Sequence, residues 1–119
     1  MEIKEKTQLK EISWQDFEKI ELRIGTIIEV DDFPEARNPA YKLKVDFGEE
    51  IGIKKSSAQI TNLYKKEELI GKKIIGVVNF PKKQIGPFMS ECLVTGFDSD
   101  HGIVLAVPDS NVKNGAKLV

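Results

Sequence analysis

Residues 20–30 read IELRIGTIIEV, and this stretch decides the fold. Apolar side chains alternate there with polar residues or glycine, which is the two-residue period of a long, half-buried β-strand. Gly25 lies inside the pattern and predicts a bend or bulge, because glycine weakens a regular strand. The alternation returns at 41–47 (YKLKVDF), which predicts a second strand that ends at Gly48. A tight turn there leads into a third strand at 51–54.

A short helix is predicted immediately before the first strand. Ser13 is a favourable N-cap residue, and Asp16 follows three positions later, where an acidic side chain supports the start of a helix. Trp14 and Phe17 are three residues apart, so both face one side of this helix. They either pack on their own domain or are presented to a partner subunit.

The second half of the chain continues the alternation of short strands and turns. Residues 56–59 (SSAQ) read as a capping box, with Ser56 at the N-cap, and predict a short helix. Residues 67–71 indicate another helical turn that ends at glycine. Further strands are predicted at 74–80, 91–97 and 103–107. Five or six strands with helical turns between the third and fourth predict an all-β fold, a five-stranded OB-fold barrel with short helices.

Length and composition indicate one globular domain. The chain has 119 residues, of which 40% are hydrophobic and 31% charged. We assign residues 13–119 to the domain and residues 1–12 to an N-terminal extension. The first residues are too charged to open a signal peptide and no apolar run is long enough for a membrane span, so a cytoplasmic protein without membrane insertion is expected.

No motif in the sequence assembles the groups that catalysis needs. A catalytic site requires a nucleophile with a base, a pair of carboxylates, or a metal or cofactor motif. The single histidine, His101, lies in a loop-like stretch, and the single cysteine, Cys92, lies in a predicted strand where it reads as a core residue. One cysteine cannot form an internal disulfide, and Cys92 with His101 cannot form a metal site alone. We therefore expect no enzyme activity, no metal and no cofactor.

The net charge of −1 conceals a basic middle third. Residues 1–53 carry a net charge of −5, residues 54–83 carry +6, and residues 84–119 carry −2. The basic island is built from Lys-Lys pairs at 54–55, 65–66, 72–73 and 82–83. Such lysines either solubilise the surface or contact the phosphates of a nucleic acid. Under the second interpretation the RNA-binding candidates are Lys54, Lys55, Lys82 and Lys83.

Four ordered blocks of sequence resemble a known family: FEKIELRIGTI (17–27), FPEARNPAYKLKVDFG (33–48), IGIKKSSAQIT (51–61) and VVNFP (77–81). They look like the stand-alone tRNA-binding domain of the OB-fold superfamily, which is related to the C-terminal appendix of some methionyl-tRNA synthetases. Within that family they most resemble the CsaA branch of export-related chaperones. Phe33 stands where tRNA-binding relatives have histidine, the loop after it is longer, and residues 90–93 (SECL) replace a Ser-x-Gly-Met stretch.

The resemblance implies a homodimer whose interface includes Trp14, Phe17 and Leu118. It also implies a non-catalytic chaperone that binds unfolded or export-destined precursor polypeptides in a groove. Because export segments are apolar and basic, a groove with apolar and acidic elements would suit them. The alternative is tRNA binding through the same OB-fold and the lysine-rich patch. A third possibility is an assembly subunit that docks on a synthetase.

The peptide-binding candidates lie in loops and strand ends that border the expected binding face: Phe33, Arg37, Asn38, Ser56, Ser57, Gln59, Asn79, Phe80 and Phe88. Phe88 follows a Gly-Pro turn and has no periodic role, so it is the favoured apolar anchor, and Arg37 is the favoured polar contact. The other roles open to these residues are the capping box for Ser56 and Gln59, core packing for Phe80, and an internal hydrogen bond for Asn79.

Overall fold

The computed structural model describes residues 7–119. Its elements are α1 (Trp14–Glu18), β1 (Leu22–Asp32), β2 (Tyr41–Asp46), β3 (Ile53–Ala58), α2 (Lys66–Leu69), β4 (Lys73–Val77), β5 (Lys83–Ile85), β6 (Phe88–Ser90), β7 (Leu93–Val94), β8 (Gly96–Ser99) and β9 (Gly102–Leu105). A five-stranded sheet in the order β3-β2-β1-β4-β7 curls into a nearly closed barrel, and β5–β6 and β8–β9 form hairpins. The predicted all-β, OB-type fold is confirmed. Of the predicted N-terminal extension, residues 1–6 lie outside the described residues.

β1 organises the barrel because it pairs on both sides. Its first half is antiparallel to β4 and its second half to β2. The register with β2 shifts between Ile27 and Glu29, so the predicted bulge at Gly25 is wrong. An extra residue at this point bends and twists the strand, which allows β1 to pass from one partner to the other.

Gly25 allows close packing in the core. A Cβ atom there would lie 2.6 Å from Cγ1 of Val45 and 2.7 Å from Cδ1 of Phe47. Gly76 on β4 is equally crowded, because its Cβ would lie 2.8 Å from Cζ of Phe47. The fully buried Phe47 ring therefore lies across two glycines of neighbouring strands. Around it packs an aliphatic core that includes Ile27, Leu43, Val45, Leu69 and Ile74.

Side chains hold both ends of α1. The Ser13 hydroxyl accepts the Asp16 N–H at 3.0 Å, and the Asp16 carboxylate accepts the Ser13 N–H at 3.3 Å, which confirms the predicted helix start. At the other end, Nδ2 of Asn79 donates to the Lys19 carbonyl at 2.6 Å, and its Oδ1 accepts the Glu21 N–H at 3.0 Å. Of the two roles open to Asn79, the structure therefore supports internal hydrogen bonding.

The predicted capping box at residues 56–59 is wrong. β3 continues to Ala58 and pairs along its whole length with β2. Ser56 is only 1% exposed, and its hydroxyl donates to the Cys92 carbonyl at 3.0 Å. A full ladder of backbone hydrogen bonds outweighs the single side-chain bond that a local cap offers. The second predicted helical turn is confirmed as α2. Gly71, which follows this helix, has a left-handed backbone conformation (φ 88°).

Three predicted strands in the C-terminal half have other bounds in the structure, and one of them, predicted at 103–107, is β9 (Gly102–Leu105). β4 ends at Val77, three residues before the predicted end at Phe80. The predicted strand at 91–97 is divided between β7 and β8, and Thr95 lies at the break. Both the N–H and the hydroxyl of Thr95 donate to one carbonyl of β4, so the chain cannot continue as a regular edge strand there.

Candidate binding groove

The barrel has a seam between its edge strands, β3 and β7. Glu91 closes part of it: its N–H donates to the Lys55 carbonyl at 2.7 Å, and its carboxylate accepts the Lys55 N–H at 3.0 Å. Beside Ser57 a groove of about 530 Å³ opens at the seam. We call it the seam groove, and its lining consists of Ser57, Gln59, Phe80, Pro81, Lys82, Lys83, Ile85, Ser90, Cys92 and Leu93.

The seam groove combines exposed apolar side chains with lysines. Phe80 is 54% exposed and Leu93 is 47% exposed, although both are large and hydrophobic. Lys82 lies 3.7 Å from the Glu91 carboxylate. Within residues 7–119, Lys83 forms no ion pair. The groove thus offers apolar surface to a ligand together with positive charge.

A second surface lies where β2 and β3 meet the β5–β6 hairpin. The rings of Phe33 and Phe88 are 5.4 Å apart, with Lys42 Nζ 5.7 Å from the centre of the first and Lys55 Nζ 5.5 Å from the centre of the second. We call this arrangement the lysine–phenylalanine column. Phe33 is buried and Phe88 is half-buried, so the column braces the hairpin against the barrel and leaves lysine charges outside.

The basic island is divided among several surfaces. The Lys66 ammonium lies 2.9 Å from the Asp32 carboxylate, and this hydrogen bond, with the charge of Asp32, raises the pKa of Lys66. Lys72 stands over the Tyr64 ring, and Nζ of Lys73 donates to the Val112 carbonyl. The lysines at 54 and 55 belong to β3, and those at 82 and 83 line the seam groove. No single patch unites the eight lysines of the island.

Residues 22–117 match the family described as "Putative tRNA binding domain". The chain belongs to this family. The CsaA chaperone protein from Picrophilus torridus is 57% identical to this chain in sequence. Its crystal structure matches this one with a TM-score of 0.87 and covers 92% of this chain and 100% of that one. The chaperone CsaA from Bacillus anthracis is 45% identical, with a TM-score of 0.86 over the same shares. The resemblance to the CsaA branch is therefore confirmed.

Methionine–tRNA ligases contain the same domain. The enzyme of Pyrococcus horikoshii is 37% identical over 115 residues, which are 97% of this chain and 16% of the enzyme. The enzyme of Leptospira biflexa is 36% identical over 107 residues, or 90% of this chain and 15% of the enzyme. The chain spans about a sixth of the length of these ligases. The family domain in this chain thus corresponds to a small part of those enzymes.

Some of the predicted ligand residues of this tRNA-binding-type domain lie together in the structure, and others lie apart. The seam groove receives Ser57, Gln59, Phe80, Lys82 and Lys83. Phe80 is exposed there, so of its two possible roles core packing is wrong. Phe33 and Phe88 belong to the column. Arg37 and Asn38 are exposed in the loop after β1 and line neither surface. The roles of all these residues in ligand binding stay predictions.

Sequence reasoning missed the apolar groove residues Leu93 and Ile85. Leu93 lies inside the strand predicted at 91–97, and only the position of β7 at the edge of the sheet places it at the seam. Ile85 belongs to the β5–β6 hairpin, which turns at Gly86 (φ 55°) and Pro87. A Gly-Pro pair between two short alternating runs is a turn signal, so this hairpin was open to prediction.

Cys92 is a core residue, as predicted. Burial raises the pKa of its thiol to about 11, so the thiol stays protonated near neutral pH. Among residues 7–119, no group of three or more histidine, cysteine, aspartate or glutamate side chains is arranged to hold a metal ion. In the same part of the chain, no helix has the length and apolar character required to cross a membrane.

Proposed function

We propose that this chain is a non-catalytic, chaperone-like protein that binds unfolded or precursor polypeptides in the seam groove. The observation that carries the proposal is the groove itself, which presents Phe80 and Leu93 to solvent beside an edge strand. The likeness to CsaA chaperone structures over nearly the whole chain supports it. A groove that combines apolar anchors with backbone groups suits many sequences in an extended conformation.

The apolar anchor of the site is Phe80 in this proposal. Replacing Phe80 with alanine is expected to weaken binding of an unfolded polypeptide about 10- to 30-fold, because a buried aromatic anchor contributes most of the contact energy. The change is expected to leave stability nearly unaltered, since more than half of the ring is exposed in the free protein. Fluorescence anisotropy with a labelled, permanently unfolded polypeptide measures the affinity.

Phe97→Ala is the matched control for Phe80→Ala. Phe97 is 71% exposed on β8 and does not line the seam groove, so its loss is expected to leave the affinity unchanged. Equal losses in the two variants would indicate nonspecific adhesion to exposed aromatic rings. An unchanged affinity for Phe80→Ala would remove this residue from the site.

tRNA is the second candidate ligand, and the family match favours it. In this proposal Lys82 and Lys83 contact phosphates from the groove, while Lys54 and Lys55 do so from β3. The lysine–phenylalanine column adds positive charge beside an aromatic edge, a combination that suits single-stranded RNA. Both ligands would then use one side of the barrel, and neither use requires chemistry from the protein.

A homodimer is part of the proposal. Exposed apolar side chains lie near both ends of the described chain, where Trp14 is 65% exposed and Leu118 is 47% exposed. Phe17 packs against Trp14 with ring centres 5.7 Å apart. Leu118 also lines an apolar depression of about 240 Å³ beside the first residues of β1. A second copy of the chain that covers these side chains would remove them from water.

Leu118→Glu is expected to convert such a dimer to monomers at micromolar concentration, because it places an unpaired charge in an apolar interface. Size-exclusion chromatography with light scattering measures the mass. Val104→Glu is the control, since Val104 is 41% exposed on β9 and lines neither the depression nor the seam groove. A wild-type protein with the mass of one chain would contradict the dimer.

A further inference from the structure

The free edge of β3 points its backbone groups into the seam groove. Both the N–H and the carbonyl of Lys55 bond to Glu91 and thus point away from β2. Backbone groups along a strand alternate in direction with a period of two, so those of Ser57 also point away from β2. The Phe47 N–H, which donates to the Gly52 carbonyl at 3.0 Å, fixes the same alternation in the β2–β3 pairing.

The backbone of Ser57 is therefore open to a ligand. Within residues 7–119, its N–H makes no hydrogen bond outside the β2–β3 pairing, and its carbonyl receives only a 3.4 Å contact from the Ser56 hydroxyl. Ser57 lines the groove, and β3 is an edge strand at this point. An unpaired donor and acceptor on a strand edge form a template for another strand.

We infer that the seam groove takes its polypeptide as an added β-strand that pairs with the N–H and carbonyl of Ser57, and that it selects apolar segments carrying an acidic side chain. The inference rests on the proposed polypeptide-binding function and specifies its mode. Backbone pairing tolerates many sequences, while alternate side chains of the added strand reach Phe80 and Leu93 in the groove.

The charge of the groove determines the acidic preference. Lys82 and Lys83 line it, and within residues 7–119 no aspartate or glutamate lines it and only Lys82 of the pair has a carboxylate partner. A carboxylate on the ligand would complement Lys83, whereas a lysine or arginine would be repelled. The acidic preference departs from the expectation that acidic elements of the groove favour basic export segments, which stays a prediction.

A scan of N-methylated peptides tests the backbone pairing. The probe is a fluorescein-labelled peptide of about eight residues, alternating leucine and serine with one glutamate near an end. N-methylation removes one backbone donor at a time. We expect methylation of the residue that pairs with the Ser57 carbonyl to weaken binding about tenfold, and methylation of its immediate neighbours to have much smaller effects.

Protein variants test the same contact from the other side. Ser57→Pro removes the free N–H without removing a bond to β2, and proline is accepted on an edge strand at such a position. Ser57→Pro is expected to weaken binding of the unmethylated peptide about tenfold, while Ser57→Ala is expected to bind it like the wild type. Lys83→Glu is expected to reverse the preference between glutamate- and lysine-containing peptides. Lys113→Glu is the control and is expected to leave this preference unchanged, because Lys113 is exposed and lies outside the groove.

The outcomes separate the strand-addition mode from the function. If no peptide binds the wild-type protein, the polypeptide-binding function itself fails. If peptides bind but the methylation scan has no two-residue period and Ser57→Pro is silent, strand addition alone is overturned. If circular dichroism shows that Ser57→Pro misfolds, the methylation scan on the wild-type protein decides whether strand addition occurs. If Lys83→Glu abolishes tRNA binding and leaves peptide selectivity unchanged, the acidic preference is overturned.

Discussion

Replacing Phe47 with alanine is expected to destabilise the protein by about 3–5 kcal/mol. The ring has no exposed surface and lies in the centre of the core. Its neighbours Gly25 and Gly76 have no side chains that could move into the space left behind. Because the site cannot collapse, the loss includes the cavity as well as the apolar contacts.

Urea unfolding followed by circular dichroism measures this change in the free energy of unfolding. Phe97→Ala is the control, and its effect is expected to stay within about 0.5 kcal/mol because the ring is mostly exposed. A second comparison isolates the packing: Gly76→Ala is expected to cost less in the Phe47→Ala background than in the wild type. Independent effects of the two substitutions would contradict the packing of the ring on the glycine.

If tRNA contacts four lysines, its dissociation constant is expected to rise about 50- to 150-fold between about 50 and 200 mM salt. Each neutralised phosphate adds roughly 0.7–0.9 to the slope of log Kd against log salt, because bound counterions are released. The four contacts in this prediction are Lys54, Lys55, Lys82 and Lys83. An uncharged apolar peptide in the same groove is expected to show almost no salt dependence.

Fluorescence anisotropy of labelled bulk tRNA measures this slope. The double variant Lys82→Ala/Lys83→Ala is expected to reduce the slope by about half, since two of four contacts are lost. Lys65→Ala/Lys113→Ala is the control with the same charge change, at two exposed lysines that lie outside the groove. A flat salt response, or equal losses in both double variants, would leave the lysines as general surface charge and polypeptide as the sole ligand.

Local patterns in the sequence were sufficient for the features that depend on near neighbours. Alternating side chains predicted β1 and β2 because each strand has one face in the core and one toward water. Ser13 predicted the start of α1 because both partners of its cap lie within one turn. The ordered blocks were specific enough to identify the family, whose match covers residues 22–117.

The candidate site depended on contacts between residues far apart in the chain. Ser56 could cap a helix in isolation, but pairing with β2 drew it into a strand and its hydroxyl bonds to Cys92, 36 residues away. Gly25 suggested a bend from the sequence, but the structure shows the Phe47 ring packed against it. The seam groove exists because Glu91 bonds to β3 at Lys55, while the outward backbone groups of Ser57 have no strand partner within residues 7–119. Sequence periodicity records which face of a strand is buried, whereas closure of the barrel decides which edge stays open and which side chains line it.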